Sequence, residues 1–321
     1  MSTIRQALQS AIDENGGTIP FDAFMAIALH HPEDGYYPRN VRTVGSRGDF
    51  TTAPQLTPAL GEAIGRWLRG EAKRRGWQQF KVIECGPGSG ALAAAVTKSF
   101  GWLGKRRLDL HLVETSEPLR AEQQKHVRGT WHTTMEEALA ACEGRALIYH
   151  NEFLDAFPCR LFRKESEGWT ELQLKVIEGK LEEVFLPPTH VLPASTAFAR
   201  EWATGQRIEV FESVRDWLRD MARSWQSGAM LVVDYGGSAD QIYHRRPAGT
   251  LRAYRGQQRL TGDAVYEMPG RQDITADVNF DDLSMWAREL GWEADGSKSL
   301  GAIAPNAPGA EAFHCLALAK G

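Results

Sequence analysis

Short apolar runs alternate with amphipathic segments along most of this chain, a pattern that predicts an α/β protein. The predicted strands are 80–84, 108–113, a weaker 130–132, 146–149 and 229–233. The predicted helices between them are 90–99, 117–127, 135–142 and 209–226. Hydrophobic strands that alternate with helices favour a parallel sheet covered on both faces, so the pattern predicts a doubly wound fold.

The first part of the chain has a helical pattern without strands. Apolar residues recur at helical spacing over 4–12, and further helices are predicted for 20–29 and for 58 to about 75. We therefore divide the chain into an N-terminal helical cover, 1–77, and a sheet domain, 78–321.

Two segments interrupt the alternation in the sheet domain. Residues 159–187 alternate polar and apolar positions around two Glu-Gly turns, as antiparallel hairpins do. Residues 236–280 are rich in Gly, Arg and Tyr without clear periodicity, and are predicted to form a long loop or lid. A helix at 281–290 and a strand near 313–318 complete the pattern.

Composition narrows the class of protein. The net charge of −4 is too small to indicate a nucleic-acid partner, and no apolar run reaches the roughly 18 residues of a membrane span. The four cysteines include no CxxC pair and the nine histidines no HxH or HExxH spacing, so no metal site is predicted. With neither a signal-peptide nor a transit-peptide pattern at the N-terminus, the predicted location is the cytoplasm.

Residues 81–90, KVIECGPGSG, carry the most informative motif. A buried strand ends in a turn with glycine at 86, 88 and 90, and a helix begins at Ala91. Such a turn exposes backbone N–H groups at a helix N-terminus and lets a ligand approach the backbone closely. Taken alone, the motif is also compatible with a purely structural turn.

An acidic residue at the end of the next strand favours a nucleoside cofactor. Glu114 is placed to accept hydrogen bonds from ribose hydroxyls. The alternating glycines do not fit G-x-G-x-x-G, and Glu84 before the turn would attract an ammonium group but repel a pyrophosphate. These features favour S-adenosylmethionine over NAD. The predicted cofactor-binding residues are Glu84, Gly86, Pro87, Gly88, Gly90 and Glu114.

Further polar residues follow two other strands. Asn151, Glu152 and Asp155 lie in NEFLDAFP, and Asp234 follows the strand at 229–233. Each carboxylate has the alternative role of capping a helix or turn. Because the carboxyl ends of parallel strands share one edge, we expect them to meet there. Glu152 and Asp155 suit a guanidinium, which cannot be deprotonated in advance, but equally a lysine or a small amine.

Six segments in this order support a family resemblance. They are GDFTTAPQLTPALGEAIG (48–65), ECGPGSGAL (84–92), NEFLDAFP (151–158), VDYGG (233–237), TLRAY (250–254) and DITADVNF (273–280). The chain resembles the MidA-like S-adenosylmethionine-dependent methyltransferases, the group that contains the mitochondrial complex I assembly factor that methylates an arginine. The resemblance spans nearly the whole chain.

The resemblance implies a Rossmann-like class I methyltransferase fold, with a mostly parallel seven-stranded sheet, an N-terminal helical layer, and hairpin and lid insertions. It implies S-adenosylmethionine as donor, protein arginine as acceptor, and a role of the respiratory-complex assembly type. By position, Asn151, Glu152 and Asp155 would lie next to the transferred methyl, and Asp49 and Thr52 would close over the pocket.

The chain departs from the family pattern at four residues. Gln55 replaces a usual glutamate, Gln257 and Gln258 stand where histidines are frequent, and Asp277 replaces a histidine. These departures leave a second hypothesis open, a non-catalytic protein that binds S-adenosylmethionine. A third hypothesis is an NAD-dependent oxidoreductase. The oligomeric state is left open.

Overall fold

The structure is a computed structural model that describes residues 3–40, 58–188, 191–307 and 309–321. The helices α1 to α11 are Thr3–Glu14, Phe21–His30, Tyr36–Asn40, Ala59–Arg74, Ala91–Ser99, Gly101–Lys105, Glu117–Gln123, Met135–Ala141, Glu212–Ser224, Ala239–Ile242 and Phe280–Glu289. The strands β1 to β9 are Ile19–Pro20, Phe80–Cys85, Leu108–Val113, Thr130–His132, Arg145–Asn151, Arg160–Glu165, Gly168–Ile177, Lys180–Leu186 and Arg207–Val210. The strands β10 to β17 are Ser227–Gly237, Arg252–Arg255, Gln258–Leu260, Asp273–Thr275, Val278–Asn279, Glu293–Ala294, Lys298–Ser299 and Phe313–Lys320.

The main sheet has the strand order β15-β17-β10-β5-β2-β3-β4, with β14 paired to β10 and β16 to β17. The pairs from β10 through β5, β2 and β3 to β4 are all parallel. β17 runs antiparallel to β10, β15 and β16. The expected mostly parallel seven-stranded sheet is therefore corrected to a mixed sheet of nine strands. A hydrophobic pattern reveals that β17 is a strand, but its direction depends on where the chain re-enters the sheet after α11.

Both faces of this sheet are buried, as its hydrophobic strands predicted. Val82 and Leu147 point into a core formed with α4 and α5. Ile83 and Ile148, the next residue of each strand, point into a second core formed with α8, α9 and α11. Successive side chains of a strand face opposite sides, so this alternation shows a sheet covered on both faces.

The hairpins predicted over 159–187 are confirmed. β6, β7 and β8 pair antiparallel, and β9 joins the outer side of β6. β1, in the N-terminal region, pairs with β7 at Ile19 and Leu174. This second sheet therefore ties the beginning of the chain to the hairpins.

The prediction of a long loop over 236–280 is wrong in part. This segment contains an antiparallel three-stranded sheet in the order β12-β11-β13. Strands of three or four residues are too short to produce a recognisable hydrophobic period. For the same reason the helix predicted over 209–226 begins only at Glu212, because Arg207–Val210 form the short strand β9. The helix predicted over 117–127 ends earlier, at Gln123.

No helix among the described residues is long and apolar enough to cross a lipid bilayer.

Candidate active site

The glycine turn connects β2 to α5. Gly86, Gly88 and Gly90 have φ angles of 61°, 54° and 81°, in the left-handed region that residues other than glycine rarely adopt. A Cβ atom on Gly86 would lie 2.8 Å from the Phe153 ring, whereas one on Gly88 would have no neighbour within 4 Å. The turn therefore requires glycine and leaves open space beside Gly88. A ligand can approach the backbone there, with Pro87 between the two glycines.

Glu114 follows β3 and is held next to this turn. Its carboxylate accepts hydrogen bonds from the backbone N–H of Ser116 at 2.9 Å and from the Gln123 side chain at 3.1 Å. The Gln123 amide also donates to the carbonyl of Gly88 at 2.8 Å, so one side chain connects both elements. Burial raises the Glu114 pKa. An ionised carboxylate has about four acceptor sites, so these two hydrogen bonds do not use all of them.

Glu84 has a different environment from the one its position suggested. It is buried beneath the turn and accepts a hydrogen bond from the Tyr149 hydroxyl at 2.7 Å. Burial raises its pKa to about 8, so the carboxyl is mostly protonated at neutral pH. The predicted charge attraction between Glu84 and an ammonium group therefore has no support in this environment.

Asn151 and Glu152 lie where β5 ends. Glu152 has a φ angle of 51°, a strained backbone conformation that is concentrated at functional sites. The Asn151 side chain donates to the Glu152 carboxylate at 2.9 Å, while its own oxygen is buried without a partner among the described residues. Burial, and then the charge of Asp155, raise the Glu152 pKa to about 7. Glu152 is therefore suited to exchange a proton near neutral pH.

Asp155 belongs to a second, more deeply buried group of carboxylates. It accepts a hydrogen bond from Thr275 at 2.8 Å, and burial raises its pKa. Asp273, on the same short strand as Thr275, accepts one from the Tyr37 hydroxyl at 3.0 Å. Burial, and then the charge of Asp155, raise the Asp273 pKa to about 8. Sequence reasoning missed Asp273 and Tyr37, although Asp273 lies in the DITADVNF segment of the family resemblance.

Asp234 shapes the turn that carries these groups. Its carboxylate accepts hydrogen bonds from the backbone N–H groups of Phe153 at 3.2 Å, Leu154 at 2.9 Å and Tyr235 at 2.9 Å. Asp234 therefore caps this turn, which is the alternative role that the sequence suggested for it. Burial, and then the charge of Asp155, raise its pKa well above the usual range.

Asp277, one of the departures from the family pattern, binds two arginines. It accepts hydrogen bonds from Arg252 and Arg246, each at 2.7 Å. Arg252 is buried, and its charge partly offsets the rise that burial causes in the pKa of both Asp155 and Asp273. Asp277 thus places a cation beside the carboxylates.

Glu209 anchors the segment that carries Arg252. Its buried carboxylate accepts hydrogen bonds from the Thr250 N–H at 2.8 Å, the Thr250 hydroxyl at 3.0 Å and the Leu251 N–H at 3.1 Å. We expect Glu209→Ala to lower the free energy of unfolding by about 3 kcal/mol, because it leaves buried donors unpaired. Urea denaturation measures this. Glu182→Ala, an exposed carboxylate on β8, is the control and should change it by less than about 0.5 kcal/mol; equal effects would contradict the anchoring role.

Three predicted or noted residues, Asp49, Thr52 and Gln55, lie outside the described residues. A cavity of about 400 Å³ between α4 and β17, lined in part by Trp67 and Cys315, contains none of the predicted site residues.

The arrangement defines a class of protein. In doubly wound α/β proteins, nucleotide-like cofactors generally bind where a glycine turn joins a buried strand to a helix and a carboxylate ends the neighbouring strand. A family profile described as "Putative S-adenosyl-L-methionine-dependent methyltransferase" matches residues 62–298. The chain belongs to this family of S-adenosylmethionine-dependent methyltransferases. Its membership confirms the predicted cofactor and excludes the oxidoreductase hypothesis.

Similar proteins agree with this assignment. The chain is 28% identical over 302 residues to the mitochondrial protein arginine methyltransferase NDUFAF7 of Danio rerio, covering 84% of this chain and 69% of that protein. It is 28% identical over 307 residues to the Mus musculus protein of the same name, covering 85% and 67%. A Burkholderia thailandensis crystal structure with bound S-adenosyl-homocysteine has the same fold, with a TM-score of 0.85, 24% identity, and coverage of 99% of this chain and 92% of that one.

These relatives correct one prediction. Those of Danio rerio, Caenorhabditis elegans and Mus musculus are all named as mitochondrial proteins. The predicted cytoplasmic location, inferred from the residues at the N-terminus, is therefore wrong.

Proposed function

We propose that this protein transfers a methyl group from S-adenosylmethionine to an arginine side chain of a protein. The names of the curated relatives support arginine as the acceptor. The observation that carries the proposal is a group of four carboxylates near the ends of β5 and β10: the half-buried Glu152 and the buried Asp155, Asp234 and Asp273.

The donor half consists of the glycine turn and Glu114. The open space beside Gly88 leaves room for the cofactor, and the left-handed glycines allow its close approach. When bound, S-adenosylmethionine supplies a methyl group on a positively charged sulfur. Glu114 would accept hydrogen bonds from the ribose hydroxyls.

The acceptor half has to bind an arginine guanidinium, which remains protonated until it reacts. A guanidinium loses its proton only as its nitrogen is methylated, so it must be bound as a cation and oriented. Asp155 and Glu152 would hold it by charge-assisted hydrogen bonds. The arginine nitrogen forms the new C–N bond as the C–S bond breaks, the bonding pair remains on sulfur, and Glu152 takes the released proton.

Radiolabelled donor, incubated with an arginine-containing peptide and its lysine-substituted counterpart, tests the acceptor. The proposal predicts label in the arginine peptide and none in the other. Equal labelling of the lysine peptide would overturn the arginine assignment. Binding of S-adenosylhomocysteine without transfer to either peptide or to protein extract would support the non-catalytic hypothesis.

We also propose that residues 1–77 form a cover that contributes to the acceptor site, and that 78–321 form the catalytic domain. The hydrogen bond from Tyr37 to Asp273 supports this division of roles. The respiratory-complex assembly role implied by the resemblance remains a proposal of the same kind.

The pH dependence of methyl transfer follows from the raised Glu152 pKa. Glu152 has to be ionised to accept a proton, and its pKa is about 7 rather than 4.5. We therefore expect kcat/KM to fall about tenfold per pH unit below pH ~7, since protonated Glu152 accumulates there. A pH–rate profile from pH 5.5 to 8.5 measures this. A profile that stays flat down to pH 5.5 would contradict the role of Glu152 as proton acceptor.

A further inference from the structure

Gln123, the last residue of α7, is completely buried although it is polar. Its amide nitrogen donates to the Gly88 carbonyl at 2.8 Å and to the Glu114 carboxylate at 3.1 Å. Its amide oxygen accepts a hydrogen bond from the Trp131 indole N–H at 2.7 Å. Both donors of the amide and its acceptor are therefore used, which leaves it one orientation.

These three partners lie on different elements of the sheet edge. Gly88 belongs to the turn after β2, Glu114 follows β3, and Trp131 lies on β4. Gly90 also packs directly on Gln123, because a Cβ atom at position 90 would lie 3.2 Å from the Gln123 Cα. The side chain thus acts as a spacer between the turn and the carboxylate. Sequence reasoning did not single it out.

We propose that Gln123 is a positioning residue for the methyl donor, which sets the Glu114 carboxylate and the glycine turn at the separation that the cofactor requires. The proposal rests on the donor half of the proposed function. Two N–H donors on one rigid amide bind a carbonyl and a carboxylate simultaneously, which a hydrocarbon side chain of equal length cannot do. Without the amide, Glu114 would lose one of the bonds that orient it.

Calorimetry on full-length Gln123→Met, with S-adenosylhomocysteine and its 2′-deoxyribose analogue, tests this role. Methionine keeps the length and apolar volume of the side chain but none of its hydrogen bonds. We expect S-adenosylhomocysteine to bind about 10- to 100-fold more weakly, the effect of losing a well-placed hydrogen bond to a charged group. The exposed neighbour Gln124, replaced in Gln124→Met, is the matched control and should bind as the wild type does.

The deoxy analogue separates positioning from a general loss of structure. In the wild type, removal of the ribose hydroxyl should weaken binding about tenfold or more. In Gln123→Met the same removal should cost little, because Glu114 is no longer oriented toward the sugar. If Gln123→Met loses as much affinity as the wild type when the ribose hydroxyl is removed, the positioning role is overturned, while the assignment of the donor site stands.

Two further results complete the test. If the wild type binds both ligands equally and Glu114→Gln binds as tightly as the wild type, the ribose assignment fails, and the role of Gln123 fails with it. If Gln123→Met does not fold, as judged by circular dichroism, Trp131→Phe is used in its place. This substitution removes only the hydrogen bond from the indole N–H to the Gln123 amide oxygen. This variant should then bind S-adenosylhomocysteine a few-fold more weakly, and unchanged affinity would overturn the proposal.

Discussion

Gly88→Val is expected to abolish binding of S-adenosylmethionine. Gly88 has a φ angle of 54°, where a β-branched residue is strained, and its missing side chain faces open space. An isopropyl group would fill the space in which the cofactor approaches the backbone. We expect the affinity for S-adenosylhomocysteine to fall by more than about 100-fold, or ~3 kcal/mol, as measured by calorimetry.

Gly76→Val is the matched control for this variant. Gly76 has a φ angle of 67° and open space around its Cβ position, but lies in the turn before β2, at the opposite end of that strand. Gly76→Val imposes a similar backbone strain away from the site, so this variant should bind S-adenosylhomocysteine as tightly as the wild type does. A folded Gly88→Val protein with retained affinity would show that the cofactor does not bind at this turn.

The second large effect is expected for Glu152→Gln, which should lower kcat by about 100- to 10,000-fold, the range of general base catalysis. Glutamine keeps the shape of the side chain but cannot accept the proton that the arginine nitrogen releases. Donor affinity should be nearly unchanged, because Glu114 and the glycine turn are intact. Single-turnover methyl transfer at saturating donor, together with calorimetry, separates the two quantities.

Glu178→Gln serves as the control for that experiment. Glu178 has a φ angle of 49°, close to that of Glu152, but lies exposed in the turn between β7 and β8. Its replacement should leave kcat at the wild-type value. Full turnover in Glu152→Gln would exclude the proposed proton transfer, and a parallel loss of donor affinity would assign Glu152 to the cofactor instead.

The donor half of the site could largely be predicted from the sequence. Gly86, Gly88 and Gly90 follow a strand and precede a helix within ten residues, so their geometry is a local property of the chain. Glu114 could be placed because it ends the next strand. The part that could not be predicted is Gln123, since nothing in a helical pattern shows which polar residue turns inward to bind two other loops.

The acceptor half was predicted only in part. Glu152 and Asp155 were found because they follow one strand end. Asp273 lies about 120 residues after Glu152 and Asp155 in the chain, and Tyr37 lies more than 100 residues before them. Neither has a local signal of function, because a lone aspartate or tyrosine in a turn-rich segment has many ordinary roles.

The sequence by itself determined the succession of the main strands and helices along the chain, the glycine turn and the class of cofactor. These depend on short-range periodicity and on the conformational freedom of glycine, which act over a few residues. Only the tertiary structure decided the direction of β17, the small sheet within 236–280 and the gathering of Asp155, Asp273 and Tyr37. Such contacts depend on how distant segments pack, and burial among those segments is what shifts the pKa values of the carboxylates.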